Sequence, residues 1–189
     1  MANVIAGVRE LAGRAAERVG LARFRRDQTG ATAVEFGLVA APFLALMLAI
    51  LETSIIFFAG QTLETAVSNA ARLIRTGQAQ QQGFDANKFK DQICMQVMAL
   101  FDCNGELVFD VRTYQTFDSI NLNKPVDANG NLKTDFVYQP GKGGEIVVVR
   151  AFVEWPTFSK LLGLNFSNLA DGNHLLAATA AFRNEPFPW

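Results

Sequence analysis

The sequence predicts an α+β protein: a long N-terminal transmembrane helix, then a small domain with one helix and an antiparallel sheet of about three strands. Three observations lead there. An apolar run begins at Phe36, reaches Leu51 without a charge, and resumes after Glu52-Thr53-Ser54 as IIFFAG. Apolar residues then continue at helical spacing, at Leu63, Ala66, Val67, Ala70 and Ile74. Further on, ELVFDVRTYQTF and EIVVVRAFVEWP carry the period of two that belongs to strands.

Crossing the hydrocarbon core takes roughly 20 helical residues at about 1.5 Å each. Residues 36–58 meet that length if Glu52 lies near an interface or against a partner; the uninterrupted part alone is marginal. A buried core helix of a soluble protein is the alternative, and the length disfavours it. Residues 1–30 carry Arg9, Arg14, Arg18, Arg23, Arg25 and Arg26 against Glu10, Glu17 and Asp27, while the whole chain of 189 residues has a net charge of −1. A basic end before an apolar run favours a cytoplasmic N-terminus and an exported C-terminal body. A secretory signal fits less well, because the run is too long for its apolar region and continues as helix. One helix is therefore expected from about Thr32 to Thr76, with Gly77 as its C-cap and Pro42 removing one internal hydrogen bond. The near-neutral balance of charge gives no signal for nucleic acid.

In the body, 77–189, glutamine-rich QAQQQG reads as a linker. FDANKFKDQICMQVMALF places Phe89, Ile93, Val97 and Leu100 on one face of a second helix, with Asp85 as its N-cap. The first strand alternates Leu107, Phe109, Val111 and Thr113 against Val108, Asp110, Arg112 and Tyr114. A polar stretch rich in Gly, Pro and Asn follows, predicting turns with a short hairpin. The second strand carries Val147, Val149, Ala151, Val153 and Trp155 on one face and ends at Pro156. After a partly apolar connector, HLLAATAAFR reads as a last strand, its alanines keeping helix open as an alternative. Glu154 and Asp110 fall on the strand faces expected to meet solvent.

Cys94 and Cys103 flank the end of the second helix. In an exported body they face an oxidising compartment where a disulfide persists, with two buried thiols as the alternative. No metal site is expected, since zinc takes about four Cys or His ligands and His174 is the only histidine. His174 lies in a turn entering the last strand and reads as a packing or capping residue. The sequence contains no G-x-S-x-G, H-E-x-x-H, P-loop or G-x-G-x-x-G pattern, so neither catalysis nor a cofactor is expected. DANGNLKTD has the composition of a calcium loop, but Gly130 is misplaced and Tyr138 stands where the twelfth-position glutamate belongs.

Glu35 remains to be explained. An acid at the entrance to a membrane costs little at headgroup depth and suits the first turn of a helix. The residues around it carry a family resemblance. Gly30 followed by ATAVEF resembles the processing site of type IV pilin-like proteins, cut by a prepilin peptidase between Gly30 and Ala31. The resemblance implies that Glu35, fifth in the processed chain, pairs with the free amine of Ala31 within or between subunits. More narrowly, TGATAVEFGLVAAPFLALMLAILETSIIFF resembles the TadE-like proteins of tight-adherence (Tad/Flp) pilus assembly. These share the G-A-x-A-V-E-F block, a proline in the apolar run, and a membrane-embedded glutamate like Glu52. ICMQVMALFDCNGELVFDVRTY and AFRNEPF are also similar to segments of that family's exported domain.

Residue 36 is Phe where major Flp pilins usually carry Tyr, and the chain is much larger than those short subunits. The resemblance thus implies a minor pseudopilin or assembly component of the inner membrane, with a periplasmic, pilin-like body and residues 1–30 as a cleavable leader. It implies as partners other pilin-like subunits, the inner-membrane platform, the prepilin peptidase and lipid, with Glu35 and Glu52 as polar contacts in the membrane layer. An uncleaved scaffold of the same machinery is the first alternative; a membrane-tethered periplasmic enzyme or binding domain is the second.

Overall fold

The computed structural model describes residues 29–97, 100, 102–103, 105, 107–158 and 166–188. The basic leader, apart from its last two residues, lies outside these, as does the middle of the partly apolar connector. Helix α1 spans Thr29–Arg75 and runs through Pro42 without ending. It starts a few residues earlier than the sequence suggested and stops where Gly77 predicts. Gly77 takes the left-handed conformation (φ 76°), and its N–H donates to the Ile74 carbonyl at 3.0 Å, as glycine does after a helix end.

QAQQ, expected as linker, forms one helical turn, α2 (Gln78–Gln81). Ala79 is buried there, and the Gln80 side-chain amide donates to the Pro140 carbonyl at 2.9 Å. Tertiary contacts at those two residues order a turn that composition alone does not specify. Helix α3 spans Ala86–Val97. Its N-cap is Asp85 as predicted, the carboxylate accepting the Lys88 N–H at 2.8 Å.

Strands β1 (Leu107–Tyr114), β2 (Ile146–Trp155) and β3 (His174–Arg183) form one antiparallel sheet in the order β1-β2-β3. HLLAATAAFR is therefore a strand. Pairing with β2 from Ile146↔Arg183 to Trp155↔His174 overrides the helical preference of its alanines, and Leu176 and Ala178 point into the core. The register puts Leu107 and Val111 of β1, Val147, Val149, Ala151 and Val153 of β2, and Leu176 and Ala178 of β3 on one face. These share a single core with Leu63, Ala66, Val67, Ala70 and Ile74 of α1 and with Phe89, Ile93 and Val97 of α3. Phe89 packs against Phe109 and Tyr138, with ring centres 5.5 and 5.3 Å apart.

Across β1 and β2 the other face is not open to solvent, which corrects the expectation for Asp110. Val148, Arg150 and Phe152 are buried with it, beneath the segment between β1 and β2. That segment holds a short antiparallel bridge, Val126↔Leu132, and a parallel bridge, Val111↔Tyr138, that extends the sheet beyond β1. Phe136 stacks on Phe152 at 5.4 Å, and the Arg150 guanidinium donates to the Asn123 carbonyl at 2.8 Å. Asp110 accepts from Arg150 directly across the strand pair, from Arg112 Nε at 2.9 Å, and from the Val137 N–H at 3.2 Å. Burial alone would raise the Asp110 pKa; the hydrogen bonds from Arg150 and Arg112 outweigh it and hold the carboxyl below its ordinary value.

By contact the chain divides into two units, residues 1–47 and 48–189, the boundary falling within α1. The described part of the first is helix only, with Val34, Phe36, Leu38, Val39, Phe43, Leu44, Leu46 and Met47 exposed. The second contains the sheet, the remaining helices and the core.

Candidate functional site

The candidate site is the apolar helix together with two of its glutamates, Glu35 and Glu52. In α1 the exposed large apolar residues run from Val34 to Phe58, after which every exposed position is polar or charged: Gln61, Glu64, Thr65, Ser68, Asn69, Arg72 and Arg75. α1 is long and apolar enough to cross a membrane, and such a helix fits a single-pass anchor followed by a C-terminal domain. Thr53 and Ser54, in the middle of this belt, turn their hydroxyls back onto the Ala49 and Ile50 carbonyls at 2.9 and 2.8 Å. Hydroxyls satisfied in this way can lie in an apolar setting at little cost.

Gly30 and Ala31 are exposed and lie in the first turn of α1. Because the helix begins at Thr29, Glu35 sits in its second turn and not its first; the first turn carries no acid. Glu35 is exposed. Four residues separate it from Ala31, which puts the two on one face of the helix.

Glu52 is the opposite case. Its side chain is only 8% exposed, and its carboxylate accepts the backbone N–H of Phe158 at 2.7 Å. Phe158 follows β2 and is 106 residues away in sequence. Within this chain, then, the Glu52 carboxylate already has one hydrogen-bond partner. No local pattern announces it; the available hint was an acid in an apolar run, which always needs a partner.

Cys94 and Cys103 form the expected disulfide, with Cα atoms 5.8 Å apart, tying the end of α3 to the approach to β1. His174 packs as predicted: its Nδ1 lies 2.7 Å from the Phe166 carbonyl oxygen. In the calcium-like stretch, Asp127 accepts from the Asn129 and Asn131 N–H groups at 2.8 and 2.9 Å, making a turn. Those backbone bonds, that from Asn131 foremost, lower its pKa. Among the described residues no group of three or more His, Cys, Asp or Glu side chains is placed to hold a metal ion.

AFRNEPF, which attracted notice only by resemblance, acquires a structural reason. Asn184 is buried and its side-chain amide donates to the Pro140 and Lys142 carbonyls, both at 3.0 Å. The Glu185 N–H donates to the Arg75 carbonyl at the end of α1, at 2.9 Å. The segment thus closes the C-terminus of the long helix against the turn before β2.

No curated protein and no solved structure matches the chain. One family model does, and it ends before the sheet, covering the two glutamates and the exposed apolar belt. Residues 30–72 match the family described as TadE-like protein, and it is to this family that the long helix is similar.

Proposed function

We propose that this chain is a minor pseudopilin or assembly component of a Tad/Flp-type pilus, anchored in the bacterial inner membrane by α1 and supporting filament assembly from a periplasmic domain. The observation that carries the reading is the TadE-like match over residues 30–72. It falls on a helix whose Val34-to-Phe58 belt is apolar and exposed. The similarity to that family supports involvement in pilus assembly. The arginines of residues 1–30 support the orientation. The role is structural, its partners being other pilin-like subunits, the inner-membrane platform and the prepilin peptidase.

In this reading the peptidase cuts between Gly30 and Ala31, and the new amine of Ala31 pairs with Glu35. Pairing offsets the cost of carrying a carboxylate into the membrane layer. The Gly30–Ala31 bond lies within the first turn of α1, which leaves the uncleaved scaffold as the second reading. Intact-mass spectrometry of the protein from cells with and without the peptidase separates them. A chain beginning at Ala31 only when the peptidase is present supports the pseudopilin; residues 1–30 retained in both supports the scaffold.

A further inference from the structure

Within the unit that begins at Leu48, α1 and β3 run side by side in the same direction. Gly60 faces Leu176 near the start of β3, a Cβ there lying 3.9 Å from the Leu176 side chain, and the Arg75 carbonyl meets Glu185 just past its end. The Trp155/His174 end of the sheet therefore points back along the helix toward its apolar belt. The chain leaving β2 continues that way until the Phe158 N–H reaches Glu52.

That contact fixes a depth. Phe58, the last exposed apolar residue of the belt, lies six residues beyond Glu52, or about 9 Å along the axis. The Phe158 backbone is thus level with the interior of the belt. Its ring is 69% exposed there, and Trp155, of the type favoured at membrane interfaces, is half-buried three residues before it.

We propose that the start of the β2–β3 connector enters the bilayer beside α1, with Phe158 in lipid and Glu52 as its internal tether. This rests on the reading of α1 as a membrane span. Lipid, and not a second subunit, is the occupant because exposed apolar residues occupy more than one face of the helix at this level. Leu51, Ile55 and Phe58 lie along one face and Ile50 and Phe57 along another, whereas a helical partner needs a single stripe. The depth agrees with elements that lie in the interface, whose apolar faces sink roughly 5–10 Å. Non-helical backbone at that depth requires its polar groups to be satisfied. Glu52 meets this requirement for the Phe158 N–H, and the same bond gives the carboxylate its partner.

Nitroxide accessibility in the full chain tests the proposal. Cys94 and Cys103 are disulfide-bonded, so a cysteine introduced by Phe158→Cys, Phe57→Cys or Asn129→Cys takes the label selectively. Each protein is reconstituted in vesicles of phosphatidylethanolamine and phosphatidylglycerol, and collisions with oxygen and with a water-soluble nickel chelate are compared. The expected result is a ratio of oxygen to nickel collisions at position 158 several-fold above that at 129 and close to that at 57. Adding Glu52→Leu should bring position 158 toward the aqueous value, while Glu52→Gln, which keeps an acceptor, should not. A ratio at 158 like that at 129, with position 57 still in lipid, overturns the proposal and leaves the membrane span standing. Shielding from both reagents with spin–spin broadening overturns it in favour of a second copy. An aqueous value at position 57 removes the span itself and the proposal with it.

Discussion

The two ends of α1 solve different problems with one secondary structure. From Val34 to Phe58 the large apolar side chains are mostly exposed, which suits the apolar surroundings of a membrane span. From Ala59 to Ile74 the helix instead buries Ala59, Leu63, Ala66, Val67, Ala70, Ala71 and Ile74. Four of these seven are alanines, small enough to let the helix approach the sheet closely. The difference shows that apolarity alone does not tell which way a helix faces. Bulk all round marks the first stretch; a narrow, small-residue stripe with Gln61, Glu64 and Ser68 outside it marks the second.

The sharpest challenge to that contrast is the buried ion pair on the far face of the sheet, because it holds the body together without using α1. Asp110→Ala leaves Arg150 charged, buried and unpaired, and should cost about 3–5 kcal/mol in denaturant unfolding of the detergent-solubilised chain. The pH dependence follows. The Asp110 pKa is lowered in the folded state, so its contribution is complete above the ordinary carboxylate value, near 3.9, and is lost as pH falls through the depressed one. The variant should lack that acid limb; an unchanged limb would mean another group controls acid unfolding.

Next in size is a matched pair within α1. Leu63→Ala should destabilise the body by about 2–5 kcal/mol. Leu46→Ala, at a position 60% exposed, should change its unfolding free energy by less than about 0.5 kcal/mol. Equal effects would erase the division between the two stretches. A narrower loss, at the lower end of the Leu63→Ala range, is expected at the disulfide. Cys94→Ser with Cys103→Ser opens a short loop, the cysteines being nine residues apart, and should cost about 2–3 kcal/mol. It acts wholly within the body, so partition of the chain into vesicles should be unchanged.

Much of this architecture was readable in advance because it is local. The apolar run, the Gly77 stop, the Asp85 cap and the alternation of Leu107, Phe109 and Val111 each depend on neighbours in sequence. What escaped is long-range. Asp110 alternates correctly with the core-facing residues of β1, yet it is buried because a polar, turn-rich segment folds over it. A clue existed in IVVVRAFVEW, which is apolar on both faces around Arg150 and so implies cover on both sides. For Glu52 the sequence showed a carboxylate in need of a partner, but a backbone N–H carries no residue-specific signature. The roles proposed for Gly30, Ala31 and Glu35 would depend on a second protein and on one another's chemistry after cutting, which no folding rule encodes.

The parallel course of α1 and β3 also has a mechanical meaning. A pull on the membrane end of α1, directed along its axis, draws the helix lengthwise past the strand. Contacts from Gly60 at Leu176 to Arg75 at Glu185 are then strained together, in shear, and cannot open one after another as in a peeled hairpin. The helix is held at the far end by the Glu185 N–H and nearer the load by the Phe158 N–H on Glu52. Within the unit that begins at Leu48, a helix joined to its strand in this way would pass tension along its axis into the sheet through all of these contacts together.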